Sequence, residues 1–115
     1  MGELIAKYLQ GGGWRVETDR NKKIIAGLIV HPDLIQRGFY IGMNHEEKVL
    51  QRWYDHGRLE TYLLYRTQSK ELGQRMERLL IEEFNDHPNN RNRRKGGGGV
   101  GEANWYNVYV HFKED

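Results

Sequence analysis

The chain contains no cysteine. Disulfides, thiolate metal sites and thiol nucleophiles are therefore excluded. No apolar run approaches membrane-spanning length. No secretory pattern opens the chain, because Glu3 and Lys7 interrupt the only apolar stretch there. Met1-Gly2 is followed by Ala6, where myristoylation wants Ser or Thr. These absences predict a soluble, cytoplasmic protein with no membrane partner. Net charge is scarce as well: 18 basic against 16 acidic residues leave +2. That balance permits nucleic-acid binding without arguing for it. His31, His45, His56, His87 and His111 form no tight pair, so zinc spacing is missing. Gly96 to Gly101 lacks the Lys-Ser/Thr of a phosphate loop and has strand and helix flanking it in the wrong order.

At 115 residues the chain fits one domain with a small core. Three Trp, seven Tyr and three Phe supply much of its volume and leave aromatics for a binding face. No repeat or domain boundary is visible, and the core is expected over about 22–112. Residues 2–10 read as a short helix with Leu4, Ile5 and Leu9 on one face, ended by Gly11-Gly12-Gly13. Trp14 to Thr18 alternates like a half-buried strand, Asp19-Arg20-Asn21 reads as a turn, and Lys22 to Val30 as a buried central strand. His31-Pro32-Asp33 breaks that run. Phe39-Tyr40-Ile41 is the next strand, ending at Gly42 and close enough to pair with its predecessor as an antiparallel hairpin.

Asn44 is placed to cap a helix that runs to His56 and stops at Gly57, with Glu47 as capping-box partner. Arg52 and His56, four apart, share one side of it. Thr61 to Thr67 is a third strand. Ser69 caps a helix from about Lys70 to about Phe84, with Leu72, Met76, Leu79, Leu80 and Phe84 facing the core. At about 100° per residue, Glu77 falls where that apolar stripe meets solvent. Asp86 to Gly101 is a loop by composition, reaching the closing strand at about residue 104. Trp105 to Phe112 is that strand, with Trp105 and Tyr106 expected in the core. The order predicts an α+β domain with a small mixed or antiparallel sheet flanked by helices.

Hydrolysis of a phosphodiester needs an activated water, a positive group on the phosphorus oxygens, help for the leaving oxygen, and pre-positioning. Mg²⁺ prefers oxygen ligands and accepts a single protein carboxylate with waters around it. Glu77, Arg52, His56 and Tyr40 are the set that converges best, with asparagines ahead of the glycine run. Glu83 also projects near the apolar stripe, and Glu77 has Arg75 and Lys70 as ordinary pairing partners.

These residues resemble the GIY-YIG nucleases over about residues 24 to 100. Tyr40-Ile41-Gly42 matches the second signature triplet, and Gly27-Leu28-Ile29 stands where the first is expected, on the preceding strand. Arg52-Trp-Tyr-Asp-His56 matches the arginine-then-histidine helix pattern. Glu77, trailed by Leu80-Ile81, is similar to the metal-binding glutamate. Asn92, ahead of Gly96-Gly-Gly-Gly99, is similar to the late asparagine, with Asn85, Asn89 and Asn90 competing for that place.

The resemblance implies a metal-dependent DNA endonuclease with a GIY-YIG-like fold. Glu77 would hold one Mg²⁺ or Mn²⁺, Arg52 would stabilise the pentacoordinate phosphate, His56 would assist by hydrogen bonding or proton transfer, and Asn92 would fix the active-site loop. Ile29 and Met43 depart from the pattern. With no tyrosine in the first triplet, Tyr40 is the residue expected to face the water. Arg91, Arg93, Arg94 and Lys95 would contact the DNA phosphate backbone, and cutting both strands would call for a second copy, a homodimer on DNA. The alternative is a catalytically inactive nucleic-acid-binding or protein-interaction module on the same fold.

Overall fold

The computed structural model describes residues 13–45, 61–92 and 102–113. The expected N-terminal helix over 2–10, and Arg52, His56, Arg93, Arg94 and Lys95, lie outside the described residues. Five elements follow in order: α1 (Trp14–Leu28), β1 (Phe39–His45), β2 (Thr61–Thr67), α2 (Lys70–Glu83) and β3 (Tyr106–Phe112). They form an α+β fold in which a three-stranded antiparallel sheet, ordered β1-β3-β2, carries both helices on one face. Among the described residues no helix is long and apolar enough to cross a membrane.

The first helix corrects the sequence reading. Trp14–Thr18 and Lys22–Val30 are not strands, and Asp19-Arg20-Asn21 is not a turn; one helix of 15 residues spans Trp14–Leu28. Its inward positions are Trp14, Thr18, Asn21, Ile25 and Leu28, spaced 4-3-4-3, which is one helical face. Two of those positions are polar. The Thr18 hydroxyl donates back to the Trp14 carbonyl at 2.7 Å, and the Asn21 amide donates to the Met76 sulfur at 3.7 Å. Trp14 meets Tyr65 edge-on at 5.8 Å, and the Arg75 guanidinium lies over its outer side. The helix has no Pro and no Gly before Gly27, so nothing interrupts it.

Two smaller corrections follow. β1 does not stop at Gly42. Met43, Asn44 and His45 continue the ladder opposite Val108, Asn107 and Tyr106, so Asn44 is a strand residue and not a helix cap. Trp105 precedes β3 and is 38% exposed, under the Arg66 guanidinium, whereas Tyr106 is core.

α2 matches its expected span and start. The Ser69 hydroxyl accepts from the Leu72 N–H at 3.2 Å, and Glu71 sits in the positive first turn. Met76, Leu80 and Ile81 pack on Phe39, Ile41, Met43, Val108, Val110 and Phe112. Each such side chain removed from water is worth about 1.5–3 kcal/mol. Gly73 allows the close approach: a Cβ there would lie 3.1 Å from the Met43 sulfur.

Two measurements test this architecture. Lys23 is exposed in the middle of α1. Lys23→Ala is expected to leave the urea midpoint nearly unchanged, and Lys23→Pro to cost about 3 kcal/mol or more, through a lost hydrogen bond and a clash. The second concerns the Tyr65 phenol. Burial first, then the Glu17 carboxylate, push its pKa above the ordinary 10.0, against the opposing hydrogen bond to Thr67. The unfolded phenol ionises near pH 10.0 while the folded one keeps its proton. This group therefore leaves stability unchanged below that pH and lowers it as pH rises through the folded value. Tyr65→Phe is expected to lose stability less steeply than the parent above pH 10.0 in parallel denaturation series.

Candidate active site at the outer edge of β1

Strand alternation sorts the sheet residues onto two faces. Phe39, Ile41 and Met43 of β1 point to the helices with Tyr106, Val108, Val110 and Phe112. The opposite face is three rows of three. Tyr40, His111 and Thr61 form the first, Gly42, Tyr109 and Leu63 the second, and Asn44, Asn107 and Arg66 the third. A register shift between Leu63 and Tyr65 keeps both ends of β2 in step with these rows.

The first two rows are aromatic and bound together. The Tyr40 ring lies 5.3 Å from the His111 ring and 6.1 Å, edge-on, from the Tyr109 ring. His111 Nδ1 is 2.6 Å from the Thr61 hydroxyl, which fixes the imidazole against the sheet. In the third row the Asn107 amide donates to the Asn44 side-chain oxygen at 3.2 Å.

Among the described residues β1 has a named strand, β3, on one side only, so its other side needs partners. The segment after α2 supplies them. It runs parallel to β1, with a bridge between Phe39 and Asn90. The Phe39 N–H donates to the Asn89 carbonyl at 2.9 Å, and the Arg91 N–H donates to the Phe39 carbonyl at 2.6 Å. Asn92 then replaces backbone with side chain. Its Oδ1 accepts from the Ile41 N–H at 2.9 Å and its Nδ2 donates to the Ile41 carbonyl at 2.8 Å.

Asn92 thus holds the middle residue of Tyr40-Ile41-Gly42 at both backbone groups. Its competitors do other work. Asn90 bonds the Phe84 carbonyl and the Asn92 N–H, Asn89 bonds the Ile35 carbonyl, and the exposed Asn85 donates its backbone N–H to Glu82. Arg91 is exposed, with its side chain over Gly38 and a bond to the Pro88 carbonyl.

Glu77 belongs to the other face. It is 8% exposed and is the one buried carboxylate among the described residues. It lies one turn beyond Gly73, which packs on Met43 of β1, whereas Met76 faces α1 through Asn21. Glu83 pairs with Lys22 at 3.2 Å, Lys70 pairs with Glu102 at 3.3 Å, and Arg75 covers Trp14. Among the described residues no cluster of three ligating side chains exists. The donor set is therefore one buried carboxylate, which suits a hard cation that keeps most of its waters and suits no all-protein cage.

The first-triplet position is a correction. Gly27 and Leu28 are in the last turn of α1 and Ile29 is its C-cap, so they form no strand beside Tyr40. The neighbour of Tyr40-Ile41-Gly42 is β3, with Val110 opposite Ile41 and Tyr109 opposite Gly42. Tyr109 and His111 were not singled out as site residues. Their signal was the alternation of 107, 109 and 111 within the closing strand, which places them on one face without saying which strand lies beside it.

No family model matches the chain, and no curated protein or solved structure does.

The Asn92 clamp gives a stability test. Ile41 is buried, so Asn92→Ala is expected to cost about 1–3 kcal/mol by urea denaturation. Asn92→Asp keeps an acceptor for the Ile41 N–H but sets oxygen against the Ile41 carbonyl, and is expected to be no better. Parent-like midpoints in both variants would remove the clamp from the account.

Proposed function

We propose that this chain is a divalent-metal-dependent endonuclease of the GIY-YIG type that hydrolyses DNA phosphodiester bonds. The observation that carries the reading is the two-point bond of Asn92 to Ile41, within Tyr40-Ile41-Gly42. It ties the triplet to the loop that goes on into Arg93, Arg94, Lys95 and the glycine run. A half-buried amide used this way fixes loop and strand as one unit, and catalysis of phosphate hydrolysis is mostly such positioning.

Glu77 is the residue to hold Mg²⁺ or Mn²⁺, since it is the one buried carboxylate among the described residues. The bound cation would act as a Lewis acid on the phosphate and its leaving oxygen. Tyr40 orients the attacking water. Arg52 offsets charge on the phosphate, His56 assists by hydrogen bonding, and the Arg91–Lys95 run contacts the DNA backbone. Tyr40 and Glu77 lie on opposite faces of the sheet, so the two meet a common phosphate over the outer edge of β1, where Asn92 sits.

A second reading, binding without turnover, is favoured by a different observation. Tyr40, Tyr109 and His111 are half-buried rings side by side on one sheet face. Such a surface stacks bases.

Plasmid incubated with the protein and Mg²⁺ or Mn²⁺ separates the two. The nuclease reading expects cleavage that falls at least about a hundredfold in Glu77→Ala and in Arg52→Ala. Metal-dependent cutting that survives both substitutions sinks it. The binding reading expects salt-sensitive association without turnover, weakened when Arg93 and Arg94 are neutralised.

A further inference from the structure

The sequence leaves the site with one tyrosine, because Ile29 occupies the first-triplet position and lies in a helix cap. The sheet register puts another phenol in its place. Gly42, the third residue of the triplet, is directly opposite Tyr109 of β3. The Tyr109 ring leans across Gly42 towards the outer edge of β1. A Cβ on residue 42 would lie 2.7 Å from the Tyr109 hydroxyl oxygen and 2.8 Å from its ring carbon. No L side chain fits there without moving that phenol, so glycine at 42 is needed to seat Tyr109. The same ring packs edge-on against Tyr40. Two phenols from two strands therefore stand together on one face, over the triplet whose other edge Asn92 holds.

We infer that Tyr109, supplied by β3, is the second catalytic tyrosine of this site, donating a hydrogen bond from its hydroxyl to a non-bridging oxygen of the phosphodiester. This rests on the endonuclease reading and adds a residue to it. Tyr40 faces the attacking water and Tyr109 the phosphate oxygen, so the two phenols divide work that neither reaches alone. Gly42 is the space that lets the Tyr109 hydroxyl pass over β1. His111 and Thr61 brace the Tyr40 ring from the same row.

Three variants and one spectroscopic measurement test this. Tyr109→Phe keeps the ring and its packing and removes the hydroxyl. It is expected to lower kcat for duplex cleavage about a hundredfold, with KM close to the parent's. Gly42→Ala keeps the hydroxyl but displaces it, and is expected to lower kcat similarly. Gly42→Ala combined with Tyr109→Phe is expected to lose no more than either alone, because both remove one interaction. Wild-type cleavage by Tyr109→Phe overturns the inference.

Its failure is separable from failure of the endonuclease reading. With tyrosines carrying ¹³C at the ring carbon that bears the hydroxyl, a short DNA duplex is titrated in Ca²⁺, and Tyr109→Phe assigns the resonance. The Tyr109 and Tyr40 signals are expected to move. Tyr106, whose hydroxyl is held by the Ala103 N–H at 2.8 Å, is the unmoved control. A parent protein that binds the duplex and never cuts it ends the endonuclease reading. A Tyr109 signal that stays still in the bound complex ends the inference, whatever the parent cuts.

Discussion

The sheet depends first on its middle strand. β3 lies between β1 and β2, and neither outer strand bonds to the other. Among the described residues, both ladders between named strands therefore run to residues 106–112. β3 contributes four of the buried core side chains, Tyr106, Val108, Val110 and Phe112, on one face and the row-forming Asn107, Tyr109 and His111 on the other. One seven-residue segment thus holds the core together and sets which side chains meet on the open face. Its partners lie some way back in the chain, so the sheet is built from non-local contacts, whose loop closure must be met before any of them stabilises.

The outer edge of β1 is the second constraint. An unpaired strand edge exposes a row of donors and acceptors and invites pairing with other chains. Here the turn after α2 lays Asn89 to Asn92 along it. Backbone serves at Phe39 and the Asn92 amide serves at Ile41, and an amide is the side chain that can offer both a donor and an acceptor to one peptide neighbour.

What could be read from sequence divides along local and non-local lines. β2, α2 with its Ser69 cap, and β3 were legible because alternation, a capping residue and an apolar stripe are signals within a dozen residues. α1 was not. Thr18 and Asn21 occupy two of its five inward positions, so the apolar residues left behind, Val16 and then Ile24 to Val30, imitate strands. A 4-3-4-3 spacing that admitted polar residues would have found it. Asn44 and Trp105 were misplaced for a related reason. Asn44 has a cap's chemistry, but its amide pairs with Asn107 across the sheet, and Trp105 is covered by Arg66 from another strand. At the site, Tyr40 and Asn92 were named from sequence. The bonds from Asn92 to Ile41, and the place of Tyr109 beside Gly42, depend on strand order, which no local pattern encodes.

The two-faced sheet sets the geometry that any chemistry here must obey. α2 brings Glu77 to the covered face, and alternation sends Tyr40, Tyr109 and His111 to the other. A sheet is too thick for side chains on its two faces to meet through it, so groups from both can share a small ligand only around a rim. The rim at β2 is far from Tyr40, since β3 lies between them. The rim at β1 is adjacent to Tyr40 and Gly42 and is where the Asn92 amide bonds Ile41. Gly73 draws the helix down on the covered face, and Gly42 lets a phenol across on the other. A phosphodiester lying along this rim could touch both faces at once, which is the one arrangement in which a carboxylate and a tyrosine so placed serve a single reaction.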